Sequence, residues 1–260
     1  MQIGNFGNFN FGIRALGQNQ DQIAESLERL ATGKKVNRAS DDPSGIIAIE
    51  KHKARIYSIE GQLRSFAQQE SYLGAKEGGL SVIADKVIEL NELTVRAANK
   101  AGNSQEEQDA IELEINSVLE SINHIAQTTT FKGRSVLSEY SSGSIADGLE
   151  SLATLAFEDP EAAQALAQES VDKIAKTRGA IGNQLNEIES QRSVLSDELI
   201  NLTGSLSSIE DVDFAAESAK LVRAQILEQA SILAIDVNRQ SAQQVLGLIK
   251  DATQIANTNI

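Results

Sequence analysis

The chain contains no cysteine and no tryptophan, one methionine and two prolines, and its 260 residues include only seven Phe and three Tyr. Without cysteine there are no disulfides, no thiolate metal sites and no thiol nucleophile. The shortage of aromatic bulk and of loop-forming proline argues against a compact enzyme of this length. No stretch reaches the roughly 18–20 consecutive apolar residues of a membrane-spanning helix. Met1 to Phe6 has neither a basic n-region nor a cleavage site, so no secretory signal is expected. Ala, Leu, Ile, Glu, Gln and Ser make up the bulk instead, which favours long helices packed through aliphatic seams.

Charge is unevenly spread. The chain carries 23 Lys+Arg against 37 Asp+Glu, net −14. Residues 101–170 hold 13 acidic and 2 basic side chains, net −11, which leaves −3 for the other 190 residues. An acidic middle between two nearly neutral arms is a poor match for nucleic acid or an anionic membrane, and neither partner is expected.

The residue order reads as helix, acidic middle, helix. Residues 4–12 are a Gly/Asn/Phe patch, which predicts a flexible tail. Apolar residues then return at helical spacing through Ile23, Leu27 and Leu30, with Gly33 as a stop. Lys34 to Asp42 predict a loop, and Asp42-Pro43 a capped helix start. Ile59, Phe66, Leu73, Leu80 and Val87 recur every seven residues in a helix expected over about 46–99, with a bend at Gly78-Gly79. Ser104 caps a shorter helix carrying Ile111, Ile115, Val118, Ile122 and Ile125. Residues 132–158, rich in Ser and Gly, predict irregular chain or a small hairpin. Asp159-Pro160 opens a helix in which Ile174, Ile181, Ile188, Leu195, Leu202 and Ile209 keep strict heptad spacing. A last helix, about 214–249, repeats Val222, Ile226, Leu233 and Val237, with Leu221, Ile232 and Ile235 off that face. Apolar residues on several faces require more than one neighbour to cover them. The fold class expected is therefore all-α: a long antiparallel bundle or coiled coil with paired terminal helices and a small irregular or hairpin segment between.

Catalytic signals are weak. His52 and His124 stand 72 residues apart in helical segments, each alone. Gly33-Lys34 fails the phosphate-loop pattern at Glu28 and Lys35. Glu106, Glu107 and Asp109 are the acids expected in a helix's first turn and have no calcium-loop spacing around them. No enzyme activity, metal or cofactor is expected.

Both arms resemble bacterial flagellin. Ser26-Leu27-Glu28-Arg29-Leu30-Ala31-Thr32-Gly33 and Val36-Asn37-Arg38-Ala39-Ser40-Asp41-Asp42-Pro43-Ser44-Gly45 resemble the family's ERLSSG-x-R-I-N-x-A-x-D-D-x-x-G run. Glu77 to Leu80, Glu92 to Asn99 and Thr130 to Gly133 are similar to EGAL, ELAVQSAN and T-x-F-N-G. At the other end Arg178 to Gly182, Ser208 to Ala215 and Arg223 to Ala230 resemble R-x-x-L-G, SRIEDADFA and RAQILQQA. The similarity spans about residues 20–135 and 172–249, with only about 40 residues between.

The resemblance implies a structural subunit of the flagellar filament, secreted to an extracellular or periplasmic flagellum. It implies an inner-tube domain, 1–43 with 212–260, a rod-like bundle, 44–211, and no variable outer domain. Ile23, Leu27, Leu30, Val222, Ile226, Leu233, Val237 and Leu246 would carry inner-tube assembly. In the loop joining the two domains, Lys34, Lys35 and Arg38 would pair charges with Asp41 and Asp42, and the loop would touch adjacent subunits. The implied partners are further copies of the chain, an export chaperone on the C-terminal arm, hook-associated and cap proteins, and the type III export apparatus. The closest other reading is a hook–filament junction protein; an enzymatic variant and an acidic coiled-coil adaptor fit less of the sequence. Three departures stand out: the Gly/Asn/Phe start, residues 250–260 beyond the usual end, and Glu89. Glu89 lies in Val87 to Leu93, where the family's receptor-stimulating stretch has arginines.

Overall fold

The computed structural model describes the backbone of residues 3–99, 102, 104–140, 145 and 149–258; side chains are described within these except at 3–9, 249 and 251–258. The elements are α1 (Ile3–Thr32), α2 (Pro43–Ala98), α3 (Gln105–Thr128), a hairpin of β1 (Thr130–Phe131) and β2 (Arg134–Ser135), α4 (Leu152–Glu158), α5 (Pro160–Glu210) and α6 (Phe214–Thr258). Two short 3-10 turns, Ser138–Tyr140 and Leu149–Ser151, precede α4. Among the described residues the fold is all-α, apart from a two-stranded sheet and an isolated antiparallel bridge between Lys34 and Asp211.

Local signals account for most boundaries. α1 stops at Gly33, whose φ of 71° is open to glycine at little cost. Asp42 Oδ1 accepts the backbone N–H groups of Ser44 and Gly45 at 3.0 and 2.9 Å, capping α2 ahead of Pro43. Ser104 and Glu107 form a reciprocal capping box at α3. Asp159 accepts from Ala162 N at the start of α5. Lys132 and Gly133 both have positive φ, 51° and 78°, the conformation of a two-residue hairpin turn that matches strand twist.

One expectation is corrected. The Gly/Asn/Phe patch is not a tail: α1 begins at Ile3 and runs through it. α2 continues through Gly78-Gly79 as one helix from Pro43 to Ala98. Gly79 is needed for packing, because a Cβ there would stand 2.3 Å from Leu137 Cδ1 and 2.9 Å from Thr129 Cγ2. The hairpin region therefore seats on bare helix backbone at that point.

The chain divides into two compact units, residues 57–199 and residues 1–56 with 200–260. The division falls inside α2 and α5 rather than at their ends. The middle unit has the aliphatic core. Leu80, Ile83, Val87 and Leu90 of α2 meet Ile111, Ile115 and Ile122 of α3, Leu137 and Leu149 of the turns, Leu152 of α4 and Ile174 and Ile181 of α5. Tyr72 and Phe131 stack edge to face at 5.9 Å. Arg178 and Arg192 of α5 pair across the bundle with Glu77 and Glu70 of α2.

Candidate functional site

The terminal unit joins α1 to α6 as an antiparallel pair. Its closed end is a short backbone crossing: Lys35 N donates to Glu210 O at 2.7 Å and Val212 N to Gly33 O at 3.0 Å. Two buried carboxylates flank it. Glu210, 6% exposed, accepts from Lys34 at 2.6 Å and Lys53 at 3.0 Å, tying the loop and α2 to the end of α5. Glu217, 3% exposed, accepts from Ser26 Oγ at 2.7 Å and Lys220 at 2.9 Å, with Arg29 at 3.9 Å. Burial pushes both carboxyls up, but hydrogen bonds from their lysines (and from Ser26 at Glu217), with the nearby positive charges, outweigh it and hold both below the usual carboxylate range. The hydrogen bond to Glu210 and its charge raise Lys34.

The loop differs from expectation. Lys34 pairs with Glu210, and Arg38 with Glu28 at 2.8 Å, instead of with Asp41 and Asp42. Asp41 and Asp42 have another use, since their carboxylates accept backbone N–H groups. Asp41 Oδ2 takes those of Asn37 and Arg38, which lowers its pKa, and Asp42 caps α2. Lys35 reaches the crossing through its backbone, and its side chain is exposed. His52 lies 3.5 Å from Ser205, and His124 is exposed. Among the described residues, no group of three His, Asp or Glu is arranged to hold a metal ion.

The pair's seam is the unexpected part. On α6, Glu217, Leu221, Ala224, Glu228, Ser231, Ile235 and Asn238 alternate by four and three and are buried or half-buried. They face Gly12, Leu16, Asn19, Ile23, Ser26 and Leu30 of α1, which follow the same alternation. Gln20 meets Glu228 at 3.1 Å, Asn19 meets Ser231 at 3.3 Å, and a Cβ at Gly12 would stand 3.0 Å from Ile235. The repeat read from the sequence, Val222, Ile226, Leu233 and Val237, lies about half a turn around the helix at about 100° per residue. All four side chains, and Leu246, are exposed, Ile226 at 59% and Leu233 at 65%. Of the α1 residues, Ile23 and Leu30 enter the seam, while Leu27 is 50% exposed. The off-face residues Leu221 and Ile235 are thus the ones that meet α1. Sequence reasoning missed Glu210 and Glu217; for Glu217, its four-three spacing with small and polar residues of α6 was the available signal.

A largely helical chain whose first and last helices pair, with a polar internal seam and apolar residues turned outward, has the form of a structural subunit. The family comparisons make this specific. The model of the bacterial flagellin N-terminal helical region matches residues 12–142, and that of the C-terminal helical region residues 165–249. The chain belongs to the bacterial flagellin family. It is 26% identical over 275 residues to the flagellar filament 30.7 kDa core protein of Treponema maltophilum, covering 92% of this chain and 96% of that protein. It is 28% identical over 260 residues to a flagellin of Halalkalibacterium halodurans, covering 91% and 95%. Among solved structures, Bacillus cereus flagellin matches at TM-score 0.41 and 19% identity, over 49% of this chain and 85% of that one.

Proposed function

We propose that this flagellin is the structural subunit of a flagellar filament, polymerising through the outward faces of α1 and α6. The observation that carries the reading is the exposed stripe Val222, Ile226, Leu233 and Val237 on the side of α6 away from α1. Burying a large aliphatic side chain contributes about 1.5–3 kcal/mol, and further copies of the chain would supply that burial many times over. The loop from Lys34 to Gly45 would touch adjacent subunits, and the C-terminal arm would be covered by an export chaperone before assembly. Hook-associated proteins, a cap and the type III export apparatus complete the partners of this reading, in an extracellular or periplasmic flagellum. No helix among the described residues is long and apolar enough to cross a membrane.

Electron microscopy of seeded Ile226→Asn/Leu233→Asn protein tests it. We expect native helix content by circular dichroism and no filaments. Filaments of normal length from that variant would sink the proposal. The same reading makes the chain a poor agonist of the receptor that reads the family, because Glu89, paired to Lys86 at 2.6 Å, puts a carboxylate where a basic contact is needed. Glu89→Arg is expected to raise receptor signalling by the monomer, and an unchanged response would count against it.

A further inference from the structure

α6 has two faces able to meet α1, and hydrophobicity alone favours the one that the structure leaves outside. The stripe face offers Val222, Ile226, Leu233 and Val237, whereas the face in use puts Glu217, Glu228, Ser231 and Asn238 among its three apolar residues. Leu16, Ile23 and Leu30 of α1 would pack well against the stripe if α6 turned half a revolution. Such a turn would cover the surface that faces outward here.

We propose that Glu217, held by Ser26, Arg29 and Lys220, selects which face of α6 meets α1 and so keeps the apolar stripe turned outward. Ser26 and Glu217 are both buried, 191 residues apart in sequence, and joined by a 2.7 Å hydrogen bond. After the half turn, Ser26 would lie buried against aliphatic side chains with its acceptor gone, and an unpaired buried hydroxyl is costly. Arg29, itself bonded to Glu25, would lose its contact across the seam. The other polar contacts between the helices are weaker aids: Gln20 to Glu228 is exposed, and Asn19 to Ser231 is half-buried. The backbone crossing at Gly33 and Val212 fixes the end of the pair but lies outside both helices, so it leaves the rotation of α6 to the side chains. One buried polar residue that costs stability yet excludes an alternative packing is a known device of helical seams.

The inference rests on the geometry of the pair alone and holds whether or not the chain polymerises. Its test is clean because the chain has no cysteine. Asn19→Cys combined with Ser231→Cys reports the seam face, and Asn19→Cys with Leu233→Cys reports the stripe face. Both are trapped in the dilute monomer with a short bis-methanethiosulfonate cross-linker, each arm forming a disulfide with one cysteine and releasing methanesulfinate, and the ratio of the two trapping rates is read. That ratio is defined even where pairing is transient. With Glu217 present the seam pair traps faster. In Glu217→Leu, with helix content retained, the ratio is expected to fall about ten-fold, the equilibrium weight of one hydrogen bond to a charged group. Glu217→Gln, whose amide oxygen still accepts from Ser26, is expected to keep most of the preference. A Glu217→Leu ratio equal to the native one overturns the proposal, as does a Glu217→Gln ratio as low as that of Glu217→Leu. Polymerisation is not measured, so the filament reading stands or falls separately.

Discussion

The two units solve the burial problem in opposite ways. In the middle unit, α2, α3, α4, α5 and the turns all bring aliphatic side chains to one core, and Leu80, Ile83, Leu90, Ile115 and Ile122 are fully buried there. In the terminal unit the buried set is thin: Val36, Ile49 and Ala224 beside Ser26, Glu210 and Glu217. Its large apolar residues lie outside, among them Val222, Ile226, Leu233, Val237 and Leu246. One unit buries its apolar side chains within the chain. The other is joined within the chain by polar contacts and leaves these apolar side chains exposed.

That contrast is sharpest under truncation of single side chains. Leu80→Ala is expected to lower stability by about 2–5 kcal/mol through a core cavity, read from the urea midpoint. Ile226→Ala, on the stripe, should stay within about 0.5 kcal/mol in the monomer. A stripe variant that destabilises the monomer like a core variant would erase the distinction. Next in size are the two adjacent glycines. Gly79→Ala drives a methyl group into Leu137 and should cost about 1–3 kcal/mol. Gly78→Ala meets nothing within 4 Å and should stabilise the helix by up to about 1 kcal/mol. Equal effects at both would mean that the hairpin does not seat on α2. Ser104→Ala, which removes the capping box of α3, should cost about 1 kcal/mol by thermal melting, in the middle unit only.

Acid should act on the terminal unit instead. Glu210 and Glu217 both lie below their ordinary value of 4.5 in the folded chain, so between the folded pKa and 4.5 the unfolded chain binds more protons. Their contribution is complete well above pH 4.5 and is lost as pH falls through the folded values. Lys34, raised above 10.5, has the opposite sign: its contribution is complete below 10.5 and is lost as pH rises through its folded pKa. Glu210→Gln should therefore show a smaller acid loss than the native chain when the yield of the Asn19→Cys/Ser231→Cys cross-link is followed from pH 7 to pH 4. Identical acid profiles would count against the role of the carboxylate.

The smallest effect concerns the acidic α3. Neutralising Glu106, Glu107, Asp109, Glu112 and Glu114, all exposed, should flatten any rise of assembly between about 10 and 200 mM salt, where screening grows. An unchanged salt slope would mean that this surface does not face its neighbours.

The sequence was most legible where burial follows a single period. The heptads Ile59 to Val87 and Ile174 to Ile188 are the middle unit's core, and the caps at Asp42, Ser104 and Asp159 mark real helix starts. It was least legible where a helix offers two faces. Periodicity found the stripe on α6 but could not say that the other face meets α1. The true seam was hidden because Glu217 and Ser26 look like solvated surface until a contact 191 residues away brings them together. The packing role of Gly79 was hidden for a similar reason, since a glycine that bends a helix and one that lets another segment sit on it have the same letter. The loop carboxylates near Lys34 and Arg38 suggested ion pairs, yet backbone N–H groups four and three residues before Asp41 were the nearer donors.

The crossing at Gly33 and Val212 also fixes how the terminal pair responds to force. α1 runs towards that crossing and α6 runs away from it, so the Ile3 end of α1 and the distal part of α6 leave the pair on the same side. Pulling the two ends of the chain apart loads the pair as a zipper, one helical turn after another, instead of shearing every contact at once. The half-buried contacts between Asn19 and Ser231 part before the buried Ser26–Glu217 bond, and the two backbone hydrogen bonds at the crossing part last. Separation of the two helices by tension between the two ends therefore needs little peak force, although the finished pair is held in one register.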